Sequence, residues 1–309
     1  MIYNSILQLI GKTPLMRLEG YGREIGARGA LLAKLEMFNP GGSIKDRVAA
    51  GMILDAEQKG LLKKGATIIE PTSGNTGIGI AAVAGAMGYK VIIVMPDTMS
   101  EERRRLMRAY GARLVLSYGK EGMRGSVKLA QRLCRETDGA VMLGQFDNEA
   151  NPKTHFETTG PEIWEDTGGC VDYFVCGVGT GGTLTGVGKY LKSKNPLVKI
   201  IAVEPFDSPL LSKNLAGPHK LQGIGSNFVP GVLDRAYIDG IITVKTNEAY
   251  ETAQKLAKCE GIFTGVSSGA ALFAAGLIAV KEENAGKNIA VILPDTGERY
   301  LSTEDFIAK

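Results

Sequence analysis

Val171-Asp172-Tyr173-Phe174-Val175-Cys176-Gly177-Val178-Gly179-Thr180-Gly181-Gly182-Thr183 reads as a strand, a turn and the start of a helix. The apolar run Val171 to Cys176 has strand character, and the glycine-rich turn after it feeds a helical run from Leu184 to Leu191. Such a turn gathers backbone amides at a helix N-terminus, where the dipole favours an anion, and Thr180 and Thr183 add hydroxyl donors. A phosphate site is the natural reading. Gly177, Gly179 and Gly182 also satisfy the GxGxxG dinucleotide fingerprint, with Glu204 placed as a ribose-binding acid. By itself the turn therefore leaves a nicotinamide dehydrogenase open.

Further strands are expected at Thr67 to Ile69, Val91 to Met95, Leu114 to Leu116, Ala140 to Leu143, Ile200 to Val203 and Ile289 to Leu293. Helical patterns alternate with them. Ile44, Val48, Met52, Ile53 and Ala56 share one helical face, with Ser43 as N-cap and Gly60 as terminator. Alternating strands and helices predict an α/β protein with a mostly parallel sheet covered on both faces. No internal repeat or low-complexity linker is present, and the loop-like stretch Gln145 to Lys153 is the preferred seam between two domains.

With 309 residues, 44% hydrophobic and 22% charged, the chain has the composition of a globular protein. A net charge of +3 makes no field suited to nucleic acid or an anionic membrane, so a small-molecule ligand is expected. Cys134, Cys170, Cys176 and Cys259 form no CxxC pair, and with only His155 and His219 no metal-ligand spacing arises. This cysteine usage fits a reducing, cytoplasmic compartment. The N-terminus lacks a secretory signal pattern. Gly261 to Val280 is free of charge but interrupted by Thr264, Ser267, Ser268 and glycines, and reads as a buried loop and helix. His155 and His219 are expected to be hydrogen-bonding structural residues, and Tyr110, Trp164 and Tyr300 to be core aromatics.

Two more clusters carry chemistry. Pro71-Thr72-Ser73-Gly74-Asn75-Thr76-Gly77 joins a strand to a helix expected from about Gly77 to Met87, and its hydroxyls, amide and backbone N–H groups suit a carboxylate. Asn39-Pro40-Gly41-Gly42-Ser43-Ile44-Lys45-Asp46-Arg47 sets Lys45 in a first helical turn, where the dipole favours a neutral amine, the nucleophile a Schiff base needs.

In this order the clusters resemble the cysteine synthases, the O-acetylserine sulfhydrylases of the tryptophan synthase β-type (fold type II) family of pyridoxal-phosphate enzymes. The resemblance runs from Ile10-Gly11-Lys12-Thr13-Pro14-Leu15 through the Lys45 and Thr72 to Thr76 segments and Thr159-Gly160-Pro161-Glu162-Ile163-Trp164. It continues through the Gly179 to Thr183 loop and Gly265-Val266-Ser267-Ser268-Gly269-Ala270 to Gly297-Glu298-Arg299-Tyr300-Leu301-Ser302-Thr303.

The resemblance implies two three-layer α/β domains with mostly parallel twisted sheets and the cofactor in the cleft between them. Residues 35–148 would form one, and 1–34 with 149–309 the other. It implies pyridoxal 5'-phosphate as cofactor, with Lys45 as Schiff-base anchor and catalytic acid and base. Gly179, Thr180, Gly181, Gly182 and Thr183 would hold the phosphate, Asn75 the phenolic oxygen, and Ser267 would face the pyridine nitrogen. Thr72, Ser73, Asn75, Thr76 and Gln145 would bind the substrate carboxylate. The implied reaction is replacement of the acetate of O-acetyl-L-serine by sulfide, through an α-aminoacrylate, giving L-cysteine. A cystathionine β-synthase-like replacement is the nearest alternative. A homodimer, and capture of the C-terminal tail of serine acetyltransferase, are implied as well. Ile44 stands where the family often has valine, and Asp295 and Thr296 occupy positions that vary in the family and are often serine.

Overall fold

A computed structural model describes residues 2–307. Its strands are β1 (Leu15–Arg17), β2 (Ala30–Leu35), β3 (Thr67–Pro71), β4 (Lys90–Pro96), β5 (Arg113–Ser117), β6 (Tyr173–Gly177), β7 (Lys199–Pro205), β8 (Gly240–Val244) and β9 (Asn288–Leu293). Its α-helices are α1 (Glu19–Ile25), α2 (Lys45–Gln58), α3 (Asn75–Ala86), α4 (Glu101–Ala109), α5 (Gly122–Glu136), α6 (Ala150–Glu157), α7 (Thr159–Asp166), α8 (Gly182–Lys194), α9 (Leu210–Lys213), α10 (Thr246–Glu260) and α11 (Val266–Ala279). The described residues fall into two units. One comprises residues 2–10 with Asn39–Asn151, the other Gly11–Phe38 with residues 152–307.

The first unit is built on the parallel sheet β3-β4-β5. Side chains alternate across it as the period of two requires. Ile68, Val91, Ile93 and Met95 face a cluster with Val48, Met52 and Ile53 of α2 and Ile78 and Ile80 of α3. Ile69 and Val94 face Ala130 of α5. Three layers result. Residues 2–10 were expected with the other domain, but Leu7 and Ile10 pack against the α2–α3 cluster, and that apolar contact groups them here.

The stretch Ala140 to Leu143, expected as a strand, makes only an isolated bridge between Val141 and Ile68. Just beyond it Gly144 takes a left-handed φ of 70°, and the amides of Leu143 and Gly144 are drawn to the Glu70 carboxylate instead of a neighbouring strand.

The second unit holds the sheet β1-β2-β9-β6-β7-β8, parallel except for β1 against β2. Leu31, Ala33, Val175, Val203, Val291 and Leu293 pack on one side with α10 and α11. On the other side α8 lies against β6 and β7. Helix α11 occupies the uncharged stretch 261–280, and most of its side chains are buried in this core. Among the described residues no helix is long and apolar enough to cross a membrane. Tyr300 is buried as expected of a core aromatic, Trp164 is half-buried, and Tyr110, at a helix end, is exposed.

Candidate functional site

In the first unit two helices present their N-terminal turns together. Gly42, at φ 77°, turns the chain into α2, and the Lys45 amide donates to Ser43 Oγ at 3.3 Å. Ser43 thus caps the turn, although Ile44 is the residue that immediately precedes the helix. The Asp46 carboxylate accepts the Gly41 amide at 2.5 Å and ties the loop to the helix. Gly79 of α3 lies directly against this turn: a Cβ there would stand 2.9 Å from Lys45 O and 3.0 Å from Lys45 C. Only glycine allows α3 to approach the Lys45 backbone this closely.

Helix α3 begins at Asn75, two residues before the expected start, so Asn75 and Thr76 lie in its first turn. That turn has no acidic residue and no side-chain cap, which leaves its amides suited to an anion. The preceding loop is pinned by Thr72 N to Val94 O at 3.0 Å and by Gly74 N to Thr72 Oγ1 at 3.3 Å. Arg103 of α4 donates to Ser73 O at 3.5 Å. Nothing would lie within 4 Å of a Cβ on Gly74. Gln145 joins this group, because its Oε1 accepts from Thr76 Oγ1 at 2.5 Å. The structure therefore brings Thr72, Ser73, Asn75, Thr76 and Gln145 to one end of the sheet, next to the helix that carries Lys45.

Glu70, the penultimate residue of β3, positions Gln145 and was missed as a site residue. Its Oε2 accepts the Leu143 and Gly144 amides, both at 3.0 Å, and its Oε1 accepts the Gln145 amide at 3.3 Å. Burial raises the carboxyl's proton affinity above the ordinary range, while the backbone donors from Gly144, Gln145 and Leu143 oppose that rise. A clue was available: a glutamate in an otherwise apolar strand must find donors when buried.

In the second unit β6 delivers the glycine turn to α8. Gly181 takes φ 84° at the N-cap position, where a side chain would be strained. The first turn of α8 holds no acidic residue, and its Gly182 amide donates to Thr180 Oγ1 at 3.4 Å. Thr180 and Thr183 are buried. This donor set of amides and hydroxyls, with no carboxylate among it, fits a phosphate.

A second loop closes on the first. Gly225 N donates to Val178 O at 2.9 Å, and Ser226 Oγ to Gly179 O at 2.8 Å. A Cβ on Gly179 would lie 2.4 Å from Gly223 O, and one on Gly223 3.2 Å from Ser267 Oγ. Ser267, buried in the first turn of α11, is thereby joined through Gly223 to the Gly179 turn. Behind the turn, Thr183 Oγ1 lies 3.1 Å from His155 Nε2.

Glu204 does not serve a ribose. Both its oxygens are taken by the N-terminus of α9, from Leu211 N at 2.7 Å and Ser212 N at 3.0 Å. The nicotinamide alternative loses its acid by this contact. Among the described residues no three His, Cys, Asp or Glu side chains are grouped to hold a metal ion.

Comparison with known proteins agrees with this donor chemistry. The chain is 51% identical over 307 residues to cysteine synthase A of Escherichia coli (strain K12), covering 96% of this chain and 93% of that protein. The solved structure of cysteine synthase (OASS) from Entamoeba histolytica superposes with a TM-score of 0.96 at 45% identity, covering 100% of this chain and 92% of that one. That of O-ureido-L-serine synthase gives 0.94 at 48%, covering 98% and 95%. A family profile described as pyridoxal-phosphate dependent enzyme matches residues 6–295, and to that family this chain belongs.

Proposed function

We propose that the chain is a cysteine synthase, which replaces the acetate of O-acetyl-L-serine with sulfide and releases L-cysteine and acetate. The observation that carries this reading is the contact of Gly79 with the Lys45 backbone. It sets a lysine beside a helix N-terminus where Thr72, Ser73, Asn75, Thr76 and Gln145 gather, a set of donors suited to a carboxylate.

Pyridoxal phosphate supplies the electron sink that makes the substrate's Cα proton removable. Lys45 would hold the cofactor as its covalent anchor, and its Nζ, when free, would take the substrate's Cα proton and later return one. Thr72, Ser73, Asn75, Thr76 and Gln145 hold the substrate carboxylate, fixing the Cα–H bond's orientation. Asn75 would also donate to the cofactor's phenolic oxygen. Gly179, Thr180, Gly181, Gly182 and Thr183 hold the phosphate. Ser267 would offer a hydroxyl to the pyridine nitrogen, which would not enforce a protonated ring as a carboxylate would.

Sulfide is the second substrate. The protein works in the cytoplasm as a homodimer, and its carboxylate-binding group also receives the C-terminal carboxylate of serine acetyltransferase; the hydroxyl and amide donors of that loop support this partner.

Purified protein should carry a visible chromophore that borohydride fixes to Lys45, and O-acetylserine should shift the untreated absorbance until sulfide restores it. Turnover assays with sulfide and thiosulfate identify the sulfur donor. Protein that stays colourless with added pyridoxal phosphate, or that makes no cysteine from O-acetylserine and sulfide, overturns the proposal.

A further inference from the structure

His155 is fully buried in α6 and bracketed by two hydroxyls. Its Nδ1 lies 2.9 Å from Thr159 Oγ1, at the start of α7, and its Nε2 3.1 Å from Thr183 Oγ1, in the first turn of α8. The ring is held by close packing. A Cβ on Gly186, one turn along α8, would stand 2.2 Å from Pro152 O and 2.7 Å from His155 Cβ, so α6 and α8 are in contact at this level.

A neutral imidazole offers one donor and one acceptor, and a threonine hydroxyl has a single hydrogen. Were Nε2 the acceptor, the Thr183 hydrogen would be used on the ring, and only lone pairs would remain for the phosphate. With Nε2–H as donor, Thr183 Oγ1 accepts from the ring and its own hydrogen is left for the anion. Nδ1 then accepts from Thr159. Every hydrogen in the row points the same way, from Thr159 through His155 to Thr183.

We propose that His155 is a positioning residue for the cofactor phosphate: as the neutral Nε2–H tautomer it donates to Thr183 Oγ1 and aims the Thr183 hydroxyl at the phosphate. The proposal rests on the reading of Gly179 to Thr183 as the phosphate loop. The polarised hydroxyl is a stronger donor than an isolated one, because linked hydrogen bonds reinforce one another.

The test uses 15N-labelled holoenzyme and long-range proton–nitrogen correlation of its imidazoles. Only His155 and His219 contribute, and His155→Gln removes one pattern and so assigns the other. His155 is expected to show the neutral Nε2–H pattern; a Nδ1–H pattern or an imidazolium overturns the proposal. In a second arm, His155→Phe should weaken retention of pyridoxal phosphate about tenfold or more, as loss of a hydrogen bond to a charged group does, and shift the phosphorus resonance of the bound cofactor. His155→Gln, which can still present an N–H, should recover most of that loss. A His155→Phe variant with wild-type retention and resonance overturns the proposal. If that variant does not fold, the tautomer of the wild-type ring decides. Wild-type protein that binds no pyridoxal phosphate overturns the phosphate-loop reading as well, whereas loaded protein with the wrong tautomer overturns the His155 role alone.

Discussion

Gly79→Ala tests the contact on which the lysine's placement depends. In an unconstrained helix this change adds about 1 kcal/mol of stability. Here the new Cβ would meet Lys45 O at 2.9 Å, Lys45 C at 3.0 Å and Asp46 N at 3.2 Å, whereas ordinary contact begins near 3.4 Å. All three are backbone atoms, so relief requires α2 and α3 to part by about half an ångström. Overpacking of that kind costs about 1–3 kcal/mol, which exceeds the propensity gain and leaves a net loss of about 1 kcal/mol. The parting also moves the turn that carries Lys45, and kcat should fall by about tenfold, since a misplacement of about 1 Å can cost about a hundredfold. Urea unfolding followed by circular dichroism gives the first quantity and steady-state cysteine formation the second. A variant that gains about 1 kcal/mol and keeps its kcat would refute the close approach of the two helices.

Glu70→Gln replaces two acceptor oxygens by one and turns an N–H toward other N–H groups, so the Gln145 segment should loosen. KM for O-acetylserine should then rise about tenfold with a smaller change in kcat, because an unpaired buried donor costs about 1–3 kcal/mol. Because burial raises the Glu70 carboxyl's folded-state pKa, its stabilising contribution is complete below the ordinary value of 4.5 and is lost as pH rises through the folded value. The stability advantage of wild type over Glu70→Gln should therefore narrow from pH 4.5 toward neutrality in denaturant titrations at successive pH values; a widening would contradict the assignment. Gly179→Ala would place a methyl 2.4 Å from Gly223 O and should abolish cofactor retention on gel filtration while unit folding persists. Lys45→Ala should remove the borohydride-fixed label, and undiminished turnover in that variant would exclude the lysine as acid and base.

The βα order and the three glycine-rich turns are legible because local chemistry dictates them: β-branched runs seek a sheet, and glycine alone tolerates the turn at Gly181. Other elements depend on distant partners. Ala30-Leu31-Leu32-Ala33-Lys34-Leu35 is rich in helix formers yet is the strand β2, because β1 and β9 flank it. Ala140 to Leu143 has the opposite fate, its amides claimed by Glu70. The site residues were readable where they stand in turns. Glu70 and His155 act through other residues, Gln145 and Thr183, and the pairing of positions so far apart has no signature in spacing. His155 reads from the sequence only as a hydrogen-bonding residue, and the direction assigned to its bonds follows from the proposed phosphate role of the Gly179 to Thr183 loop.

The register of β2 has a consequence for synthesis. Ala30 through Leu35 pair with Asn288 through Leu293, so β2 is made about 258 residues before the central strand it pairs with. The first unit can close once residue 151 has left the ribosome, while the second stays open at its sheet centre until β9 arrives. At ribosomal rates of about 5–20 residues per second that interval lasts roughly seven to thirty seconds. During it the nascent chain exposes an apolar strand edge, which makes chaperone engagement most valuable between completion of the first unit and arrival of β9.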